Sequence, residues 1–281
     1  MDSNTHKQKE MNFAKKIDVS LAKMYRSIFK IKRKKIVIMF HIGRSGSTVT
    51  ADLLNQHDKC KWDGEIFDDL FRKIERQNSR TIKEKDIPHF PIKYLKQKCK
   101  DKTKEYYGIE VKFFHLILMD ISIQSFIELF KDYDVSFIVL KRNNFMRKIV
   151  SSQIAHKTKI FHLSTQETLK LEKTTIDVNS IKIDRDDKPL LDFLNNFREM
   201  FDQLDLALQG KKTLKISFEE DVEQNPLVAY NKICNFLGII PQNPQINFQK
   251  TTPFKMSQIV TNIHEVEDYL KDTTFHFMTK E

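Results

Sequence analysis

Glycine is scarce in this chain of 281 residues, with six in all, and proline stands at seven. That excludes collagen-like and low-complexity architectures. The three cysteines, Cys60, Cys99 and Cys234, are odd in number and far apart. This suits free thiols in a reducing compartment rather than a disulfide framework. No stretch approaches the roughly 20 consecutive apolar residues of a membrane span. The longest apolar runs, such as Ile36 to Phe40, have the length of a strand. The start, Met1-Asp2-Ser3-Asn4, lacks the apolar core of a secretory signal. Together these absences predict a soluble, cytoplasmic protein with no transmembrane segment.

Charge is abundant. Charged residues make up 31% of the chain and the net charge is +10. A basic balance favours an anionic partner such as nucleic acid, a membrane surface, or a phosphorylated or sulfated small molecule. The run Lys32-Arg33-Lys34-Lys35 reads either as a nucleic-acid or targeting patch or as a charged flank that keeps a strand end soluble.

Apolar spacing from Met11 to Ile31 predicts an amphipathic helix behind a polar tail. Ile36 to Phe40 is apolar without alternation, the pattern of a strand covered on both faces. Ile109 to Phe114, Val135 to Leu140 and Thr213 to Ser217 are further strand candidates. Helical patterns fall at Val49 to Asn55, Glu65 to Arg76, Ile121 to Lys131, Phe145 to His156, Leu190 to Leu208 and Leu227 to Leu237. Alternating strands and helices predict an α/β fold, a mostly parallel central sheet flanked by helices in a P-loop-like three-layer sandwich. Lys-rich Arg80 to Lys104 reads as a loop plus a short surface helix, and Phe161 to Lys188 as a polar insertion. No linker divides the chain, so the expected organisation is an N-terminal tail and helix over 1–30 and a single domain over 31–281.

Two of the six glycines, Gly43 and Gly46, fall where the first strand gives way to a helix. Such a turn exposes backbone N–H groups at the positive end of a helix dipole and makes an anion cradle. Ser45, Ser47 and Thr48 add hydroxyls, and Arg44 adds a planar fork of donors. The P-loop of nucleoside triphosphatases has a Lys after its last glycine. Ser47 stands there instead, which disfavours a triphosphate hydrolase. A second anion motif follows the strand Val135 to Leu140. Arg142 is expected at the carboxyl edge of the sheet, where ligands of open α/β sheets bind. Ser151 and Ser152 lie two helical turns further on.

This pair of motifs resembles the sulfotransferase family. Ile38 to Thr48 is similar to the 5′-phosphosulfate loop in its carbohydrate-sulfotransferase form, in which Arg replaces the Lys of the small-molecule enzymes. Arg142 and Ser151 are similar to the 3′-phosphate motif. Trp62-Asp63-Gly64-Glu65-Ile66-Phe67 resembles a Gly-Glu segment of bacterial nodulation-factor and glycolipid enzymes. Thr251 to Phe254, leading into Val266 to Leu270, is similar to their C-terminal part. The family pattern has a Ser eight residues after the Arg, whereas Ser151 is nine away, which leaves Ser151 and Ser152 both open.

The resemblance implies 3′-phosphoadenosine 5′-phosphosulfate (PAPS) as co-substrate, bound by Gly43, Arg44, Ser45, Gly46, Ser47, Thr48, Arg142 and Ser151. Its acceptor would be a hydroxyl on a carbohydrate, glycolipid or small molecule. Sulfuryl transfer resembles phosphoryl transfer and needs positioning, charge stabilisation and a base. Arg44 is expected to stabilise the departing 5′-phosphate. Glu65 is the first candidate base and His115, expected at a strand end, the second. Lys112 is a candidate to reach the transferred group, with its face of the strand open. No metal is expected: His57 and Cys60 are three apart but lack further ligands. The alternatives are a P-loop-like nucleotide kinase or hydrolase, and a basic nucleic-acid-binding protein. The latter shows no recognised binding signature. The oligomeric state stays open.

Overall fold

The computed structural model describes residues 35–68, 71–72, 90–99 and 103–280. The expected N-terminal helix, most of the basic run at 32–35, the later part of the Glu65 to Arg76 helix and much of Arg80 to Lys104 lie outside these residues.

Five parallel strands form the central sheet. They are β1 (Lys35–His41), β2 (Cys60–Trp62), β3 (Tyr106–Lys112), β4 (Val135–Lys141) and, later in the chain, β8 (Thr213–Ser217). Their order is β2-β3-β1-β4-β8, and every pairing is parallel. The α/β class and the mostly parallel sheet therefore stand as read. The helices are α1 (Ser47–Gln56), α2 (Phe90–Lys98), α3 (Phe113–Leu118), α4 (Ile123–Glu128), α5 (Phe145–Thr158), α6 (Leu190–Ala207), α7 (Pro226–Leu237), α8 (Met256–Ile259) and α9 (Ile263–Leu270). Among the described residues there are also two short ladders: β5 (Leu163–Ser164) with β9 (Phe248–Gln249), and the hairpin β6 (Ile181–Ile183) with β7 (Asp186–Lys188).

Period-two alternation sends successive β1 side chains to opposite faces. Ile36, Ile38 and Phe40 join the cluster built with α3, α4, α5 and α6. Val37 and Met39 join the cluster built with α1 and α7. In β4, Phe137 and Val139 face the first cluster, and Ile138 and Leu140 the second. Both faces are covered, which is why these strands read as unbroken apolar runs. Helix α6 buries Phe193, Leu194, Phe197, Phe201 and Leu204 at helical spacing. Asn144 caps α5 by accepting from Arg147 N–H at 2.9 Å. Gly238, at φ 73°, ends α7 in the left-handed conformation.

One strand differs from its expected bounds. Residues 113 and 114 belong to α3, not to the strand, because His115 at the third helical position accepts from the backbone N–H of Lys112 at 3.1 Å and caps the helix there. His115 is thus a first-turn helical residue, not a strand end. Among the described residues, no helix is long and apolar enough to cross a membrane.

Candidate active site

Strand β1 ends at His41 and α1 begins at Ser47, so Ile42 to Gly46 must reverse the chain. Gly43, Arg44 and Gly46 do so with φ of 76°, 54° and 80°. At Gly46 glycine is required twice. A Cβ there would sit 2.6 Å from Val222 and 3.2 Å from Phe218. Both belong to the π-helical turn Phe218–Val222 that supports the loop. Among the described residues, none accepts from the backbone N–H groups of Arg44, Ser45, Gly46 or Ser47. They face outward as the cradle the glycine spacing predicts.

The hydroxyls divide. Thr48 Oγ1 meets His162 Nδ1 at 3.1 Å, and Ser47 bonds to Glu110. Ser45 is fully buried and its Oγ has no partner. Of the three predicted hydroxyl donors, only Ser45 remains available.

Arg142 follows β4 at the carboxyl edge of the sheet. One end of its guanidinium donates to the Arg44 carbonyl at 2.6 Å, and the plane lies 4.4 Å from the Phe218 ring centroid. Only 7% of the residue is exposed, and its Nε has no partner. Arg44 Nε donates to Ser151 Oγ at 2.9 Å. The rest of the Arg44 fork goes to the Phe161 carbonyl and to Thr251 Oγ1. Arg44 therefore straps the loop to α5 and to two distant segments, and its fork is not aimed over the cradle. Ser151, rather than Ser152, is the serine that meets the loop. In the β4–α5 turn the Asn143 and Asn144 N–H groups donate to the Glu219 carboxylate at 3.0 Å each. Burial lowers both arginines to about 10, so each stays charged at neutral pH.

Glu65 pairs with Lys112. Lys112 comes from the carboxyl end of β3, and its Cδ is 3.6 Å from where a Cβ on Gly43 would stand. This places Lys112 beside the cradle and brings Glu65 with it. Behind them lies an unpredicted network. The buried Glu110 carboxylate accepts from Trp62 Nε1 at 3.2 Å and stands 3.0 Å from His41 Nε2. Burial opposes its ionisation, yet hydrogen bonds from His41, Ser47 and Trp62 hold it below the usual carboxylate range. Gly108 admits the Trp62 ring, which would overlap any Cβ there. The one signal of this network was an acid in the middle of an apolar strand, Ile109-Glu110-Val111. Lys148 was missed as well. It is fully buried on α5 and pairs with Asp184 at the tip of the β6–β7 hairpin.

Two triads gather ligand-type atoms within 4.8 Å: His41, Glu65 and Glu110, and Glu65, Asp68 and His115. Both histidines accept a backbone N–H on Nδ1, from Gly43 at 3.0 Å and from Lys112 at 3.1 Å. Each neutral ring therefore carries its proton on Nε2 and offers the carboxylates an N–H, not a metal-binding lone pair. Burial, reinforced by the Lys112 charge, pushes His115 well below the ordinary histidine range. With Nδ1 engaged and Nε2 protonated, His115 is poorly suited to take a proton. His57 has its Nδ1 bonded by the Lys59 N–H and its Nε2 facing the Ile240 carbonyl, so neither nitrogen is open to a metal.

No family model matches the chain, and no curated protein matches it. It is similar to the crystal structure of an unliganded sugar kinase from Janibacter sp. HTCC2649. The identity is 11%, over 74% of this chain and 96% of that chain, with a TM-score of 0.38. A likeness this loose carries no argument about activity.

Proposed function

We propose that the chain is a sulfotransferase that moves a sulfuryl group from PAPS to an acceptor hydroxyl. The observation that carries the reading is a pair of unsatisfied buried donors in adjoining positions, Ser45 Oγ on the glycine loop and Arg142 Nε behind it. A buried donor without a partner costs about 1–3 kcal/mol. An anion in the cradle and a second one at Arg142 would remove both penalties, and PAPS carries two separate phosphate groups. The residues fit it: the backbone N–H groups of Arg44 to Ser47 and the Ser45 hydroxyl would take the phosphosulfate, and Arg142 and Ser151 the 3′-phosphate. A triphosphate P-loop would need one contiguous cradle and a Lys where Ser47 stands.

The nucleotide supplies the sulfuryl group and a phosphate leaving group. Glu65 takes the acceptor proton. Lys112, paired with Glu65 beside Gly43, supplies positive charge where the transferred group would lie. The loop N–H groups stabilise charge on the leaving phosphate. Arg44 contributes mainly by holding the loop against Ser151 and Thr251. Carbohydrates and glycolipids are the acceptor class that the Arg-type loop suggests.

Thermal unfolding with the product nucleotide, 3′-phosphoadenosine 5′-phosphate, tests the reading. At about 100 times its dissociation constant it should add roughly 2.7 kcal/mol of stability, while ATP adds far less at the same concentration. Equal shifts with ATP and magnesium would turn the reading to phosphoryl transfer.

A further inference from the structure

Glu65 and Asp68 stand one helical turn apart, with the Asp68 N–H donating to the Glu65 carbonyl at 3.0 Å. Both carboxylates therefore point to one side. His115 brings its ring to the same place. Its Nδ1 is occupied by the Lys112 N–H, so Nε2 carries the proton. That N–H is buried without a partner, on a residue with no exposed surface. On the other side, Asp68 Oδ2 accepts from Arg72 at 2.6 Å. Oδ1 is left facing His115 Nε2 across 3.9 Å.

That separation is too long for a hydrogen bond, yet it suits one oxygen placed between the two. An oxygen about 2.8 Å from each atom would subtend about 90°. It must accept from an N–H and donate to a carboxylate at once. A hydroxyl does both. A carbonyl oxygen would meet Asp68 without a proton to give, and an ammonium would meet the N–H without a lone pair.

We infer that the gap between His115 Nε2 and Asp68 Oδ1 is a socket for a second hydroxyl of the acceptor, beside the hydroxyl presented to Glu65. The acceptor is then a polyol with neighbouring hydroxyls. This rests on the transfer reading for the role of Glu65, but the socket itself can be tested without turnover.

trans-1,2-Cyclohexanediol and cyclohexanol differ by one hydroxyl. Saturation-transfer NMR on the full chain, with the product nucleotide present and absent, compares their binding. The diol should bind about tenfold or more tightly in the unmodified protein. Asp68→Ala should abolish the preference, and Asp68→Asn should restore part of it. Equal binding of the two ligands, or a preference unchanged in Asp68→Ala, overturns the socket and assigns the gap to a fixed water. The two-ligand comparison on the unmodified protein stands even where a variant fails to fold. A diol preference without sulfuryl transfer to any hydroxyl would sink the transfer reading and leave the socket. Transfer to diol and mono-alcohol with equal efficiency would do the reverse.

Discussion

On the transfer reading Glu65 and Arg142 have different roles at the scale of single residues, and kinetics can separate them. Glu65→Gln keeps the shape but cannot take a proton at neutral pH. Turnover should fall by about 10²–10⁴-fold, the usual weight of a positioned base, with nucleotide affinity within a few fold. His115→Gln, measured beside it, should retain far more turnover, since the imidazole offers an N–H rather than a lone pair. The opposite ranking would move the base to His115. On the transfer reading Arg142 binds the 3′-phosphate, which takes no part in the bond exchange. Arg142→Ala should raise the apparent donor KM while leaving kcat nearly unchanged, the signature of uniform binding. Normal donor affinity in that variant would remove Arg142 from the site. The arginine was legible from its place after an apolar strand. The sequence leaves the choice between Ser151 and Ser152 open, because only the folded chain shows that Arg44 meets Ser151.

Among the elements, the helix α5 and the β6–β7 hairpin meet at a buried ion pair, Lys148 with Asp184. Burial lowers the ammonium from its ordinary value, and Asp184 opposes that shift. Removing Asp184 leaves the fully buried Lys148 ammonium uncompensated, whereas removing Lys148 leaves the Asp184 carboxylate, whose side chain is 27% exposed and can be hydrated. Asp184→Asn also keeps a residue that tolerates the left-handed φ of 52° at that position. It should therefore destabilise by about 3 kcal/mol, and Lys148→Met by much less. Equilibrium denaturation of both variants decides, and a reversed order would show that the pair stabilises the fold on its own account. Neither partner was legible, since Lys148 sits in a basic helical stretch that reads as surface. The long strands and helices were legible because burial on two faces imposes unbroken apolar runs. The three-residue β2 and the two short ladders are set by tertiary pairing rather than by any local pattern. The loop and Arg142 were each visible, but their mutual bond depends on β1 and β4 being neighbours in the sheet.

For the whole molecule, these buried groups set how stability depends on pH. Burial holds His115 well below its ordinary value, and burial followed by the Arg44 charge lowers His162. The unfolded chain then binds more protons than the folded one once pH drops below about 6.5, the ordinary histidine value. Stability must fall as pH falls, by at most about 1.4 kcal/mol per pH unit for each such histidine. Glu110 acts later. Its carboxyl is held below the usual range in the folded state, so its contribution is intact above about pH 4.3 and is lost on acidification through its lower folded value. His115→Gln isolates one contribution, since Gln at the third helical position can still accept the Lys112 N–H. Its effect on folding should shrink as pH falls from 7.5 to 5. The unmodified protein pays an acid penalty at His115 that the variant lacks, and the gap should narrow by up to about 2 kcal/mol. Denaturant titrations of both proteins across that range provide the measurement. Parallel stability curves would mean that His115 ionises as readily in the folded chain as in the unfolded one. They would also undo the fixed tautomer on which the exclusion of His115 as base depends.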